Sequence, residues 1–368
     1  MSFAPPVRVA IVGLGWAGRS IWLPRLQAHP AFEVMAVVDP SEAARAQAAT
    51  LAPGARLLSE PGELGPGSVD LAVVAVPNHL HAEVAARLLA QSTSVFVEKP
   101  VCLDSIEAER LALAERAGGA VLLSGSAARH RADVRALRDL TATLGPVRHV
   151  EAAWVRARGV PDAGGWFTRR LLSGGGALVD LGWHLLDTAL PLLGEVAAFP
   201  QATGTVSGDF LRSAASRAAW RDTPSDDGIA GDVEDTARGF LVADNGTSLA
   251  LHASWASHEQ YDTTRVTVEG AAGTAVLRCT FGFSPNREGD SRLTVTREGR
   301  TEPVPVPGEP VGAEYDRQLD ELPAMLADPA VHGRAIAEVR LTIGAIERLY
   351  RSARLADRTA EPAGHGPS

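Results

Sequence analysis

The sequence predicts a two-domain α/β protein. Its first domain is a doubly wound parallel sheet, and its second is built on a large, mostly antiparallel open sheet. Three observations predict this. The first 123 residues alternate short, near-continuous apolar runs with helical patterns, as strands covered on both faces require. After about Ser126, longer segments of alternating apolar and polar residues appear, as expected for an antiparallel sheet with a solvated or partner-covered face. A chain of 368 residues with 45% hydrophobic and 21% charged residues is large enough to build more than one core.

Taken in order, Val7–Val12 is a buried strand ending at Gly13, and Trp16–Gln27 is a helix with Pro24 close to its end. Glu33–Val38 is the second strand, closed by Asp39-Pro40. Ser41 caps an alanine-rich helix that runs to about Leu51. Val69–Val76, Ser94–Val97 and Ala120–Leu123 are further strands, with helices over Ala82–Ala90 and Ser105–Ala117 between them. Right-handed crossovers turn this order into a doubly wound sheet. In the second region the strands are His149–Arg156, Asp235–Val242, Ser248–Trp255, Thr263–Glu269, Thr274–Cys279 and Arg292–Thr296. Asp244-Asn245-Gly246 marks a hairpin between two of them. Thr203–Asp232 is polar and turn-rich and reads as a loop or insertion. Glu314–Leu326 and Ala335–Leu349 read as helices, and the tail from Ala356 reads as frayed. The domains are then 1–126, 127–333, a C-terminal helix over 334–356, and a flexible tail over 357–368.

A net charge of −9 argues against a nucleic-acid partner, which needs a clustered basic face. Two cysteines, Cys102 and Cys279, exclude a disulfide framework, and no Cys/His spacing matches a zinc site, so no metal is expected. Met1–Pro6 lacks the basic segment and apolar core of a secretory leader. No apolar run approaches the ~20 residues that cross a bilayer. A cytoplasmic protein with no membrane partner is the expectation.

Three constellations carry chemistry. Gly13-Leu14-Gly15-Trp16-Ala17-Gly18 fits G-x-G-x-x-G between an apolar strand and a helix, and Asp39 follows 21 residues after Gly18. Gly13 permits the tight turn, Gly15 lets a pyrophosphate approach the backbone, and Gly18 lets helix and strand pack closely. The helix N-terminus offers N–H donors and partial positive charge to the phosphates. Asp39 accepts hydrogen bonds from ribose hydroxyls and repels a 2′-phosphate. The cofactor is therefore NAD or NADP, with NAD favoured, although Arg45 stands near enough in sequence to offset Asp39. Glu98-Lys99-Pro100 lies just past a strand, at the carboxyl end that faces a ligand crevice. Proline there keeps Lys99 out of the α region and aims its side chain. In Gly174-Gly175-Gly176…Asp180…His184…Asp187, a helix starting near Gly176 places Asp180 and His184 at i, i+4 on one face. A histidine, with an ordinary pKa of about 6.5, is suited to taking a proton from a hydroxyl.

Together with Val73-Val74-Ala75-Val76-Pro77-Asn78-His79-Leu80-His81, the order of these motifs resembles the Gfo/Idh/MocA oxidoreductases from about Arg8 to Leu355. The resemblance implies an N-terminal Rossmann domain, onto which the C-terminal helix packs back, and an open sheet whose free face forms homodimers or homotetramers. It implies that Lys99, Asp180 and His184 are catalytic. Gly13, Gly15, Trp16, Ala17, Gly18, Asp39, Pro77, Asn78, His81 and Glu98 are the implied cofactor-binding set. The implied reaction is hydride transfer between nicotinamide C4 and a secondary alcohol or ketone of a sugar, aminosugar or cyclitol, in carbohydrate or natural-product metabolism. Trp154, Arg156, Trp166, Arg169, His252 and Trp255 are the candidate substrate contacts, since tryptophan suits the apolar faces of sugar rings and Arg or His their hydroxyls. His258 is a further candidate. Two alternatives stand beside this reading: a glycosidase that uses bound NAD for transient oxidation, and a cofactor-binding sensor without catalysis.

Overall fold

The computed structural model describes residues 5–161, 165–218 and 231–360. Its strands in chain order are β1 (Val7–Val12), β2 (Phe32–Val38), β3 (Arg56–Leu58), β4 (Leu71–Val74), β5 (Ser94–Val97), β6 (Leu122–Ser124), β7 (Val147–Val155), β8 (Gln201–Ser207), β9 (Thr236–Val242), β10 (Ser248–Ser254), β11 (Thr263–Gly270), β12 (Gly273–Cys279), β13 (Arg292–Arg297) and β14 (Arg300–Val304). The helices are α1 (Leu23–Ala28), α2 (Glu42–Leu51), α3 (His81–Ala90), α4 (Ser105–Gly118), α5 (Ala132–Thr141), α6 (Arg170–Ser173), α7 (Ala177–Ala189), α8 (Ala313–Ala327) and α9 (Arg334–Ala360). They belong to two compact units.

The first unit comprises Met1–Arg131, Leu171–Gly174 and Glu309–Arg340. Its six strands are parallel in the order β3-β2-β1-β4-β5-β6, so the chain reverses direction of travel across the sheet beside β1. That is the doubly wound architecture the apolar runs predict. β4 and the last four residues of β1 are apolar and buried because helices cover both faces, whereas Arg8 at the start of β1 pairs with Asp70 at the surface; Val9, Ile11, Leu71 and Val73 lie in the core with Trp22, Leu26 and Phe96. Leu319, Leu322 and Val331 join that same core. The segment 309–333, read from the sequence as part of the second domain, falls in this unit, where α8 buries its apolar stripe; of the C-terminal helix expected to pack back here, the unit includes only the part up to Arg340. β3 was not evident in the sequence: it has three residues, two of them exposed, too few for a periodicity.

The second unit comprises Ala132–Arg170, Gly175–Gly308 and Leu341–Ser368. Its eight strands lie in the order β14-β13-β12-β11-β7-β10-β9-β8, antiparallel except where β7 meets β10. The Asp244-Asn245-Gly246 turn joins β9 to β10 as expected, with Gly246 at φ +85° and Asn245 Oδ1 accepting the Thr247 N–H at 2.9 Å. Along β10, Leu249, Leu251 and Ala253 are buried on the face that α7 packs against, while Ser248, Ala250 and His252 point to the other face. The start of the 203–232 stretch is a correction to the sequence reading. Residues 201–207 form the edge strand β8, paired with β9, rather than a loop. An edge strand needs little apolar surface, and Gln201-Ala202-Thr203-Gly204-Thr205 hides its alternation. Residues 219–230 of that stretch lie outside the described residues. So does 361–368 of the expected tail, while α9 continues to Ala360.

Candidate active site

In the first unit the glycine loop is built for a backbone-bound anion. Gly13 adopts φ +96°, and a Cβ there would lie 2.5 Å from the Ala75 carbonyl oxygen. A Cβ on Gly18 would collide with the Gly13 carbonyl, so this glycine lets the following turn sit on the loop. A Cβ on Gly15 would instead enter open space, the cradle a pyrophosphate needs. Asp39, at the end of β2, accepts the Leu14 N–H at 2.8 Å through one oxygen and the Ser41 N–H at 2.9 Å through the other. Arg45 donates to the Asp39 and Pro40 carbonyl oxygens at 2.6 and 3.0 Å. Its guanidinium thus borders Asp39 without pairing with the carboxylate. Trp16 caps the π-helical turn 17–22 that Ala17 begins, and Trp16 is 52% exposed, so it is not core packing. These features fit a dinucleotide.

Lys99 follows β5 and is joined to Pro100 by a cis peptide. Glu98 Oε2 accepts the Lys99 N–H at 3.0 Å, and Glu98 Oε1 accepts the indole N–H of the fully buried Trp22 at 2.6 Å. Burial pushes the Glu98 carboxyl pKa up, opposed by the nearby Lys99 ammonium and by the Trp22 hydrogen bond. Asn78 is buried and donates to the Ser173 carbonyl at 3.0 Å, which holds the Pro77-Asn78 segment in place. His81 is 1% exposed, with Nδ1 2.6 Å from the Pro100 oxygen and Nε2 2.7 Å from the Val76 oxygen; both ring nitrogens are thus spent on backbone carbonyls, so the ring holds backbone rather than a nucleotide, a correction to the cofactor-binding expectation.

In the second unit, α7 carries Asp180 and His184 one turn apart, as the spacing predicts. Glu234 holds the start of this helix. Its Oε1 accepts the Gly176 and Leu178 N–H groups at 3.0 Å each and the Tyr350 hydroxyl at 2.6 Å. The carboxylate thereby satisfies donors that a helix start leaves open and complements the positive end of the helix dipole. The approach is close enough that a Cβ on Gly176 would strike the Glu234 backbone, which accounts for that glycine of the run. Burial raises the Glu234 pKa and, with the adjacent carboxylate, pushes the Tyr350 hydroxyl well up. Asp180 Oδ2 accepts the Trp255 indole N–H at 2.8 Å.

The substrate candidates divide. The Trp154 ring lies 5.6 Å from the His184 ring, with the Arg156 guanidinium 4.9 Å from the Trp154 ring centre. Trp255 is fully buried, and Phe167 links its ring to Trp166 through centroid distances of 6.1 and 5.1 Å. These residues form one aromatic wall beside Asp180 and His184. Arg169 is exposed, and His258 meets Phe210 at 5.4 Å. His252 stands on the other face of the sheet, opposite Arg238 in the β9–β10 register, and so is not brought to this wall. Burial and Arg238 push its pKa down to about 4. Trp22, Glu234 and Tyr350 were missed in the sequence. Each acts on a residue distant in the chain, and no local pattern marks them. Among the described residues no group of three or more His, Cys, Asp or Glu is placed to hold a metal.

Residues 7–126 match the model of the oxidoreductase family with an NAD-binding Rossmann fold, and residues 134–276 match the GFO/IDH/MocA C-terminal domain. A protein of Amycolatopsis mediterranei (strain S699) named as a UDP-kanosamine synthase oxidoreductase subunit is 60% identical over 94% of this chain and 96% of its own. The crystal structure of GenD2 from gentamicin A biosynthesis, in complex with NAD, aligns with a TM-score of 0.72 at 26% identity over 96% of each chain. KijD10, a 3-ketoreductase from Actinomadura kijaniata solved with NADP and TDP-benzene, shares the fold with a TM-score of 0.72 at 21% identity, over 93% of this chain and 95% of its own.

Proposed function

This chain belongs to the Gfo/Idh/MocA oxidoreductase family, and from that premise we propose that it oxidises a secondary alcohol of a nucleoside-diphosphate hexose to the ketone. The protein is an NAD(P)-dependent oxidoreductase of sugars. The observation that carries the finer reading is the α7 pair, Asp180 held by Trp255 and His184 beside the Trp154 ring, in a chain that is 60% identical to an oxidoreductase subunit of a UDP-aminosugar synthase. Hydride transfer introduces no nitrogen. The contribution of an oxidoreductase to an amino sugar is therefore a carbonyl, which a separate amine-donating enzyme consumes.

The nicotinamide, when bound, supplies the hydride acceptor at C4. The Gly13–Gly18 loop and Asp39 hold the dinucleotide, and the Asp39 carboxylate supports NAD over NADP by repelling a 2′-phosphate. His184 takes the hydroxyl proton as general base, oriented with Asp180 on α7. Lys99 binds the reacting oxygen and stabilises the charge that develops on it. Trp166, half-buried in this wall, suits the C–H face of a sugar or cyclitol ring, while the buried Trp154 and Trp255 back His184 and Asp180. The face of the eight-stranded sheet that carries Phe240, 46% exposed, supports a homodimer or homotetramer formed there, in the cytoplasm. No described helix is long and apolar enough to cross a membrane.

The test is reduced-nicotinamide formation from NAD and from NADP with UDP-hexoses, inositols and free sugars. A UDP-hexose with NAD is the expected pair. Lys99→Ala and His184→Ala are each expected to lose about 10²-fold or more in kcat. Wild-type rates in both variants contradict the assignment.

A further inference from the structure

Lys99 must present its ammonium at a fixed place, yet it sits on an irregular segment past the end of β5, where no strand ladder holds it. On its N-terminal side the hold is visible: Trp22 fixes the Glu98 carboxyl, which accepts the Lys99 N–H. On its C-terminal side the neighbour is Pro100, which has no N–H to donate, so only its carbonyl oxygen can be anchored. That oxygen is taken by His81 Nδ1 at 2.6 Å, while the other ring nitrogen reaches the Val76 oxygen at 2.7 Å. The imidazole thus ties the segment after β5 to the segment after β4, from the first turn of α3, with 1% of its surface exposed.

From these contacts we propose that His81 is a positioning residue for Lys99, acting through the Pro100 carbonyl. This rests on the catalytic role given to Lys99 above. Both partners of the ring are acceptors, so each contact calls for an N–H. The charged form of the ring supplies both, and burial together with the ammonium of Lys99 and the imidazole of His79 opposes that charge. A side chain with one well-placed donor is therefore enough to separate the two contacts. Asparagine places its amide nitrogen near the position of Nδ1, and glutamine places its own near Nε2. The contact that bears on Lys99 is the one from Nδ1.

The experiment compares His81→Asn, His81→Gln and His81→Phe, each in the wild-type and in the Lys99→Ala background. Thermal midpoint and NAD(H) dissociation constant are measured beside kcat and KM. His81→Gln and His81→Phe are expected to lower kcat by about tenfold or more, the scale of a displaced catalytic group, with KM and the NAD(H) dissociation constant within about twofold of wild type. His81→Asn is expected to recover most of that loss. In the Lys99→Ala background none of the three is expected to lower kcat further. If His81→Phe does not fold, the asparagine–glutamine difference carries the test. Equal kcat losses in His81→Asn and His81→Gln, wild-type kcat in both, or undiminished losses in the Lys99→Ala background overturn the proposal. If Lys99→Ala abolishes turnover and the His81 variants leave it intact, this inference alone fails. If Lys99→Ala itself turns over at the wild-type rate, the functional reading fails, and this inference fails with it.

Discussion

Each unit of the molecule holds a proposed catalytic residue with a buried tryptophan that donates an indole N–H to a carboxylate, but the two arrangements work differently. In the first unit Trp22 binds Glu98 at 2.6 Å, and Glu98 passes the constraint to the backbone N–H of Lys99. The carboxylate is an intermediary and the ammonium lies on an irregular segment. In the second unit Trp255 binds Asp180 at 2.8 Å, and Asp180 rides on α7, a regular helix whose start Glu234 caps. There the scaffold already fixes direction, and the tryptophan fixes only the side chain. A group on a loop needs anchors on its backbone, whereas a group on a helix needs the helix itself anchored.

Variants that break these two modes of support rank by how much each removes. The largest expected effect is chemical. Lys99→Ala and His184→Ala each lower kcat by about 10²-fold or more, and if they serve one step the double variant is little worse than the weaker single, as for groups that act as a unit. Steady-state kinetics of the four proteins check this. Next is Glu234→Ala, which strips an acceptor from two backbone N–H groups and the Tyr350 hydroxyl. It is expected to destabilise the protein by about 3 kcal/mol in urea unfolding, combining a lost cap with an orphaned buried hydroxyl. Glu234→Gln keeps an acceptor and is expected to lose less. Then come Trp22→Phe and Trp255→Phe, each expected to cost about 1–3 kcal/mol for the carboxylate left short of a donor. Their difference sharpens the comparison. Trp22→Phe is expected to lower kcat more, because Glu98 transmits its position to Lys99, whereas α7 still holds Asp180.

The smallest effect is electrostatic and lies away from the chemistry. His252 titrates at about 4 in the folded protein. In the unfolded chain a histidine titrates at about 6.5. Its folded pKa is depressed, so the unfolded chain binds the proton more readily between these values. Stability is full above about pH 6.5 and declines as pH falls toward 4. The thermal midpoint is expected to fall across that window in wild type, and less steeply in His252→Gln. With turnover at neutral pH unchanged in that variant, the placement of His252 on the face away from α7 is upheld.

What the sequence made legible follows from the range of each interaction. The glycine loop, Asp39, Lys99 and the Asp180–His184 spacing are short patterns, and the structure puts each on the element those patterns predict. The pairing of Trp22 with Glu98, 76 residues apart, and of Glu234 with Gly176 and Tyr350 depends on tertiary packing that no local spacing encodes. β3 and β8 escaped for a different reason: short or edge strands carry too little buried surface to impose a period. His252 shows the limit of residue type as a guide. Its neighbour Trp255 joins the wall beside Asp180, and only the alternation of β10 reveals that three positions earlier the chain faces the other way.

The most direct measurement follows the reacting hydrogen. A UDP-hexose deuterated at its ring carbinol carbons is incubated with NAD and the wild-type protein, and the nicotinamide product is examined by mass spectrometry and proton NMR. Deuterium at nicotinamide C4, delivered to one face and absent with Lys99→Ala or His184→Ala, is the predicted result. Reduced nicotinamide without deuterium, or label lost to water with no net reduction, contradicts the account.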